Sequence, residues 1–370
     1  MTLLMLPNVL LEDILSLALR DRTKSPWPSS SRNRLSDLCL VHKKINLIAQ
    51  KLVWRSLVLD TPSQMRLVNY VADWTEQELS EKLSRIEGVH IEVEGLLTAR
   101  PDGLRYMRLT NLLIGANLSR FMAEKLVNRI DTSRLRVIAI DNLARSFPSQ
   151  VNDFRNLLIK SASTLEKLYV HCLSEDVAHD TSATLPQFRR LRVLSVKLLL
   201  DVLEGPSLFQ QILANAPRIQ KVIVDPAGMS VKRLLSGCPG SLSTLVLAGA
   251  EPSLEEALSV APPELKELKI INIFRQALSI SSSFPYSLPE QLQVLEVQSI
   301  WCCELITFLT TNLAQSWFLP QLSVLRIDDQ RIRLRCAAGW QGLYGQCQQR
   351  GIKLQDSSEI TRTRAFPIRP

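Results

Sequence analysis

The pattern Leu-x-x-Leu-x-Leu, with Ile, Val or Met accepted, recurs nine times along this chain. It begins at Leu104, Leu135, Leu165, Leu191, Ile219, Leu242, Leu265, Leu292 and Leu322, and successive starts lie 31, 30, 26, 28, 23, 23, 27 and 30 residues apart. Self-similarity on this scale marks a stacked repeat architecture. The last two apolar places of each motif are two residues apart, so they share one face of a strand. Helix-like stretches lie between motifs at 121–130, 151–161, 208–214, 254–260 and 303–314. Each unit is then a strand plus a helix, buried only by stacking on its neighbours. Ile86, Val89 and Ile91 give a candidate extra strand ahead of the nine. Residues 339–349, rich in Gln, followed by Ile352-Lys353-Leu354, give a candidate helix-and-strand cap.

These motifs resemble a leucine-rich-repeat array over residues 61–355. The resemblance implies an α/β repeat fold, a horseshoe of parallel strands with a helical convex side. Such repeats carry Asn or Cys eight places after the first Leu, to satisfy buried backbone at the turn. Here that place holds residues such as Leu112, Leu143, Leu173 and Ala227. The uneven periods and the missing polar ladder predict an irregular horseshoe. The rival fold, a doubly wound α/β domain, calls for Gly-rich turns at a ligand site. The chain has 13 glycines and neither G-x-G-x-x-G nor G-x-x-x-x-G-K-[ST].

Residues 1–60 carry a different pattern. Leu6-Pro7 opens it, and Pro suits a first helical turn because its missing N–H is unpaired there anyway. Leu10, Ile14 and Leu17 form one helical stripe, and Leu11, Leu15 and Ala18 a second beside it. A further helical pattern runs through Leu35, Leu38, Val41, Ile45, Ile48 and Leu52. So small a unit holds only a marginal core alone, so part of this apolar surface should meet another protein or the rest of the chain. The order of a Leu-Pro start, an apolar helix, Leu35-x-x-Leu38-x-Leu40-Val41, a basic stretch and a Trp54-Arg55-x-Leu57 close resembles the F-box. The Pro- and Ser-rich segment 20–33 is longer than the usual F-box link, an insertion similar to those of fungal members. The resemblance implies binding to the Skp adaptor, with Leu6, Pro7, Leu10, Ile14, Leu38, Val41 and Trp54 as contacts or their support.

Composition narrows the remaining possibilities. The chain has 370 residues, is 46% hydrophobic and carries a formal charge of +8. Lys and Arg are interleaved with Asp and Glu, so no block tracks phosphates and nucleic acid is not the expected partner. Residues 356–370 form a basic tail, expected to be disordered. Seven cysteines without a C-x-x-C pair suggest reduced thiols in the cytoplasm or nucleus. The start lacks a basic n-region, and no apolar run reaches membrane-spanning length. The four histidines, His42, His90, His171 and His179, lack metal-site spacing, and neither H-E-x-x-H nor G-x-S-x-G occurs. No cofactor and no catalytic site is expected.

The expected function is therefore substrate recognition within a Skp–cullin–F-box ubiquitin ligase. The alternative is an F-box and leucine-rich-repeat scaffold acting outside a ligase. In each motif, places three, five and seven point away from the core residues, toward the concave face. The early part of that column carries Arg108, Lys167, Tyr169, His171 and Lys197, the expected target-binding patch. Its middle is small and apolar, with Ile223, Val246, Ala248 and Ile271, and is expected to be exposed.

Overall fold

The computed structural model describes residues 48, 56–59, 75–91, 106–115, 129–141, 151–173, 184–198, 208–226, 232, 235–248, 258–273, 288–299, 303–327 and 336–356. Leu6, Pro7, Leu10, Ile14, Leu38, Val41 and Trp54 lie outside the described residues. Ile48, placed by sequence in the second helical pattern of residues 1–60, is helical and buried. The chain divides into two compact units, Met1–Leu165 with Phe366–Pro370, and Glu166–Ala365.

The first unit contains strands β1 (Ser56–Leu59), β2 (Gly88–Ile91), β3 (Asn111–Ile114) and β4 (Val137–Ile140), all parallel and paired in sequence order. Helix α1 (Glu76–Leu83) precedes β2. It starts with a capping box: Thr75 N–H donates to Glu78 Oε2 at 2.9 Å, and Glu78 N–H donates to Thr75 Oγ1 at 3.3 Å. Helix α2 (Val151–Ser161) follows β4, within residues 151–161 as the periodicity predicts. Its Phe154, Leu157 and Leu158 are fully buried.

The second unit contains β5 (Lys167–Leu173), β6 (Val193–Leu198), β7 (Lys221–Pro226), β8 (Thr244–Ala248), β9 (Glu267–Ile273), β10 (Val294–Ser299), β11 (Val324–Ile327) and β12 (Lys353–Asp356). Every described pairing is parallel, between consecutive strands, and the sheet does not close. Helices α3 (Leu208–Ala214), α4 (Cys303–Leu313) and α5 (Ala337–Gln349) lie between strands in the chain. This is the α/β repeat that the motifs predict. Leu168, Leu194, Leu245 and Leu268 are fully buried and Leu295 is 3% exposed.

One motif is out of register. Pairing to β2 and β4 aligns Leu112 with Val89 and Ile138, and Ile114 with Ile91 and Ile140. The repeat therefore starts at Leu109, as Leu109-x-x-Leu112-x-Ile114, and not at Leu104. Two overlapping matches share Leu109, and burial could not separate them: Met107 is 2% exposed and Leu109 is 0%. Tyr106, Arg108 and Thr110 are consequently not strand residues. The extra strand at Ile86-Val89-Ile91 is β2, and the candidate cap is α5 and β12.

Each repeat is opened by a tight turn. The first motif residue donates its N–H to the carbonyl three residues earlier: Leu191 to Phe188, Ile219 to Ala216, Leu242 to Pro239, Leu265 to Pro262, Leu292 to Pro289 and Leu322 to Leu319, at 3.1–3.3 Å. The next two N–H groups then share one carbonyl of the preceding repeat. Arg192 and Val193 donate to Glu166 O, Gln220 and Lys221 to Arg192 O, Ser243 and Thr244 to Gln220 O, and Lys266 and Glu267 to Ser243 O. The chain continues with Gln293 and Val294 on Lys266 O, and Ser323 and Val324 on Gln293 O. The first unit does the same through Glu87 O and Thr110 O. Side-chain hydroxyls of Thr110, Ser243 and Ser323 reinforce the same acceptors at 3.0–3.1 Å.

The far edge of the second unit is capped by α5 against α4. Gly339 and Gly342 face Ile306 and Thr310 so closely that a Cβ on Gly339 would sit 3.1 Å from Ile306 Cγ2. Arg350, just after α5, donates to Phe318 O at 2.8 Å and Leu319 O at 2.9 Å. It thereby holds Leu319 at φ 46°, a left-handed conformation that β-carbon crowding disfavours. Among cysteines, Cys238 and Cys347 are free, and burial pushes their thiols up to about 12 and about 11. Cys336 is disulfide-bonded, which corrects the expectation of thiols reduced throughout.

Leu245 sits on β8 between β7 and β9, so its removal leaves a cavity that neither neighbouring strand can fill. Leu245→Ala is expected to lower unfolding free energy by about 2–5 kcal/mol in urea titration. A loss under about 1 kcal/mol would place Leu245 outside the core.

Candidate functional site

The face of β5–β12 opposite the core residues carries three in-register rows. The row at the strand starts is Lys167, Val193, Lys221, Thr244, Glu267, Val294, Val324 and Lys353. The central row is Tyr169, Ser195, Ile223, Val246, Lys269, Glu296, Arg326 and Gln355. At the strand ends His171 lies beside Lys197 and Lys197 beside Asp225. Ala248 lies beside Ile271, and Ile271 beside Gln298. Neighbouring strands are about 4.8 Å apart, so adjacent members of a row touch or pair.

The centre of this face is closed to solvent. Ile223, Val246, Ala248 and Ile271 are 7%, 3%, 4% and 8% exposed. The expectation of an exposed apolar middle is therefore corrected. In-register neighbours stand on both sides of these side chains, Ser195 and Val246 flanking Ile223 for example.

Farther along, the same face holds a buried polar network. Lys269 Nζ donates to Glu296 Oε1 at 2.5 Å, and Gln298 Nε2 donates to the same oxygen at 2.9 Å. Arg326 lies 3.8 Å from Glu296 Oε2 and 3.6 Å from Glu267 Oε1, and its Nε donates to Gln355 Oε1 at 3.1 Å. Thr244 Oγ1 donates to Glu267 Oε2 at 3.3 Å. The two carboxylates and two cations balance, and the pairs bind β8, β9, β10, β11 and β12 together. A buried pair yields little net stability, but breaking it strands a charge. The pairs join side chains that the strand register sets side by side. Sequence reasoning placed these residues in the concave column without pairing them. Aligning the fifth motif places would have set Lys269 beside Glu296 and Glu296 beside Arg326.

The expected target-binding patch is brought together in part. Lys167, Tyr169 and His171 share one face of β5, and Lys197 of β6 is the register partner of His171. Lys167 is exposed and Tyr169 half-buried, with its hydroxyl pKa raised by that burial. His171 is buried at 6% exposure. Lys197 is already paired with Asp225 at 3.4 Å. Arg108 is exposed, precedes β3 and belongs to the first unit, and it is not a strand residue because the motif that placed it on one starts five residues too early. Of the five, Lys167 alone offers an exposed and unpaired charge on this face among the described residues.

Among the described residues no group of three or more His, Cys, Asp or Glu side chains gathers to hold a metal, and no helix is long and apolar enough to cross a membrane. No protein-family model matches the chain, and a search of curated proteins finds no match.

Two outcomes follow. Lys269→Met should destabilise the protein by about 3 kcal/mol, because Glu296 loses its closest cation. Lys269→Met with Glu296→Leu should recover most of that loss in denaturant titration, and a double variant as unstable as the single would show that the loss does not come from a stranded Glu296 charge. Burial raises the Asp225 carboxyl above its ordinary value of 3.8, and Lys197 offsets this only in part. The folded protein then keeps that proton to higher pH than the unfolded chain. Stability from this group is fully present below 3.8 and falls as pH rises from there through the raised value. Asp225→Asn should remove that fall from the pH profile of the unfolding midpoint, and an unchanged profile would contradict the assignment.

Proposed function

We propose that this chain is a substrate-recognition subunit of a Skp–cullin–F-box ubiquitin ligase. Residues 1–60 bind the Skp adaptor, and the repeats hold a protein target. The observation that carries the reading is direct succession. The motif from Leu6-Pro7 to Trp54-Arg55 runs without a linker into β1, which pairs in parallel with β2. A docking handle joined to a stacked array suits a subunit that positions one protein for chemistry performed by another. Its contribution is proximity: a tethered target meets the transferring enzyme at raised effective concentration. The array supports this by offering a sheet whose internal charges are already paired, which leaves its margin for recognition.

Leu6→Ala combined with Pro7→Ala should abolish co-purification of the Skp adaptor and a cullin with the full-length chain. The urea midpoint of the repeats should not move. Retention of the adaptor would overturn the reading, and retention of the adaptor without any cullin in the wild type would favour a scaffold outside the ligase.

A further inference from the structure

We infer that the end of the stack formed by α5 and β12 is an interface between two copies of this chain, paired about a two-fold axis at Leu354. The inference goes beyond the ligase reading and does not depend on it.

The last repeat leaves a core place uncovered. Leu268, Leu295, Leu325 and Leu354 are register partners on the core side of successive strands. The first three are at most 3% exposed, whereas Leu354 is only half-buried. Among the described residues β12 pairs with β11 alone, so no further strand lies against its outer edge. Lys353 N–H donates to Ser323 O of the preceding repeat, and alternation then turns the N–H and C=O of Leu354 to the outer edge.

Helix α5 continues the same end face. Gly339 and Gly342 face Ile306 and Thr310 of α4, and Leu343 and Cys347 are buried. At about 100° per residue, Gln341, Tyr344 and Gln348 fall on the side opposite α4. All three are exposed, and Gln348 Nε2 donates to Tyr344 Oη at 3.0 Å. None of the thirteen residues of α5 is Asp, Glu, Lys or Arg. Covering this face therefore desolvates amides and a ring but no ion, which is the less costly case.

A second copy is the occupant that fits. The formal charge of +8 sets copies against each other, and the uncharged end of the stack is where that repulsion is least. The edge is also self-complementary, as a two-fold interface requires. Antiparallel pairing about Leu354 sets Leu354 on Leu354, and Lys353 opposite Gln355 of the second copy. Each leucine then gains the apolar neighbour that its own stack lacks. Sliding the edges one way sets Lys353 on Lys353, and like charges directly opposite destabilise a pair. Sliding them the other way sets Leu354 opposite Asp356. On the helices, each Gln amide both donates and accepts, so Gln341 and Gln348 can meet their own counterparts.

Sedimentation velocity on the full-length chain across micromolar concentrations should show a monomer–dimer equilibrium. Gln341→Lys with Gln348→Lys should weaken dimerisation about tenfold or more, and so should Gln341→Glu with Gln348→Glu, because like charges then face each other. Mixing the two double variants should restore the dimer, since the helices then meet with opposite charges. Both positions are exposed, so the circular dichroism spectra should match that of the wild type. Leu354→Cys should cross-link two copies under mild oxidation beyond the wild-type level, whereas Gln355→Cys, facing Lys353, should not. A chain that stays monomeric at every concentration would overturn the inference. So would a dimer unaffected by either double variant, or one that forms only after residues 357–370 are removed, which would assign the edge to this chain's own tail. Adaptor co-purification, measured on the same variants, should be unaffected, so failure of the dimer is distinguishable from failure of the ligase reading.

Discussion

A single backbone carbonyl per repeat, accepting two N–H groups from the next, is the contact on which the stack depends. Glu166, Arg192, Gln220, Ser243, Lys266 and Gln293 supply it in turn along the second unit. Because the acceptor is main chain, the residue at that place is free to be acidic, basic or neutral. Each neutral hydrogen bond contributes about 0.5–1.5 kcal/mol net, and the bonds recur at every step of the stack. The same geometry would leave a costly unpaired group at each turn if one repeat slipped. Successive first motif residues can therefore stand 23 to 30 residues apart, while within each unit the strand starts remain aligned. Variation is absorbed after the strand, where length carries little entropic penalty.

That tolerance separates the two faces of the sheet into different tasks. Toward the core, Leu, Ile and Val fill places one, four and six, and nothing else is accepted in β5–β11. On the other face, polar residues enter the middle only where they satisfy each other, as Lys269, Glu296 and Arg326 do. Charge without an ion-pair partner stands in turns such as those before β6 and β7, where water screens it. Arg189, Arg190 and Arg218 project there without disturbing the buried residues that flank them.

Much of the fold was legible because period-two burial and the first motif residue together identify a strand. The helices at 151–161 and 208–214 were legible from their apolar spacing, and the cap at α5 and β12 from a Gln-rich stretch followed by Ile352-Lys353-Leu354. The repeat at Leu109 was not, since Leu104-x-x-Met107-x-Leu109 satisfies the same pattern and only pairing to β2 decides. The ladder of backbone bonds at the strand starts was not legible either, because backbone bonds leave no trace in residue type. A further signal was overlooked. Pro239, Pro262 and Pro289 each stand three places before a motif Leu, and they mark the turn that opens the repeat. The candidate site was only partly legible. Alternation correctly set Lys167, Tyr169 and His171 on one face, but it does not report burial, which closes His171 off, or pairing, which occupies Lys197. The exposed arginines Arg189, Arg190 and Arg218 lie in turns, outside the reach of a strand argument.

The central claim is that one chain joins an adaptor-binding module to an independently engaged array, and amide hydrogen exchange with and without purified Skp adaptor tests it most directly. The account predicts that adaptor slows exchange within residues 1–60 and leaves the amides of β5–β12 at their free rates. Unchanged exchange in residues 1–60, or protection confined to the strands, would contradict it.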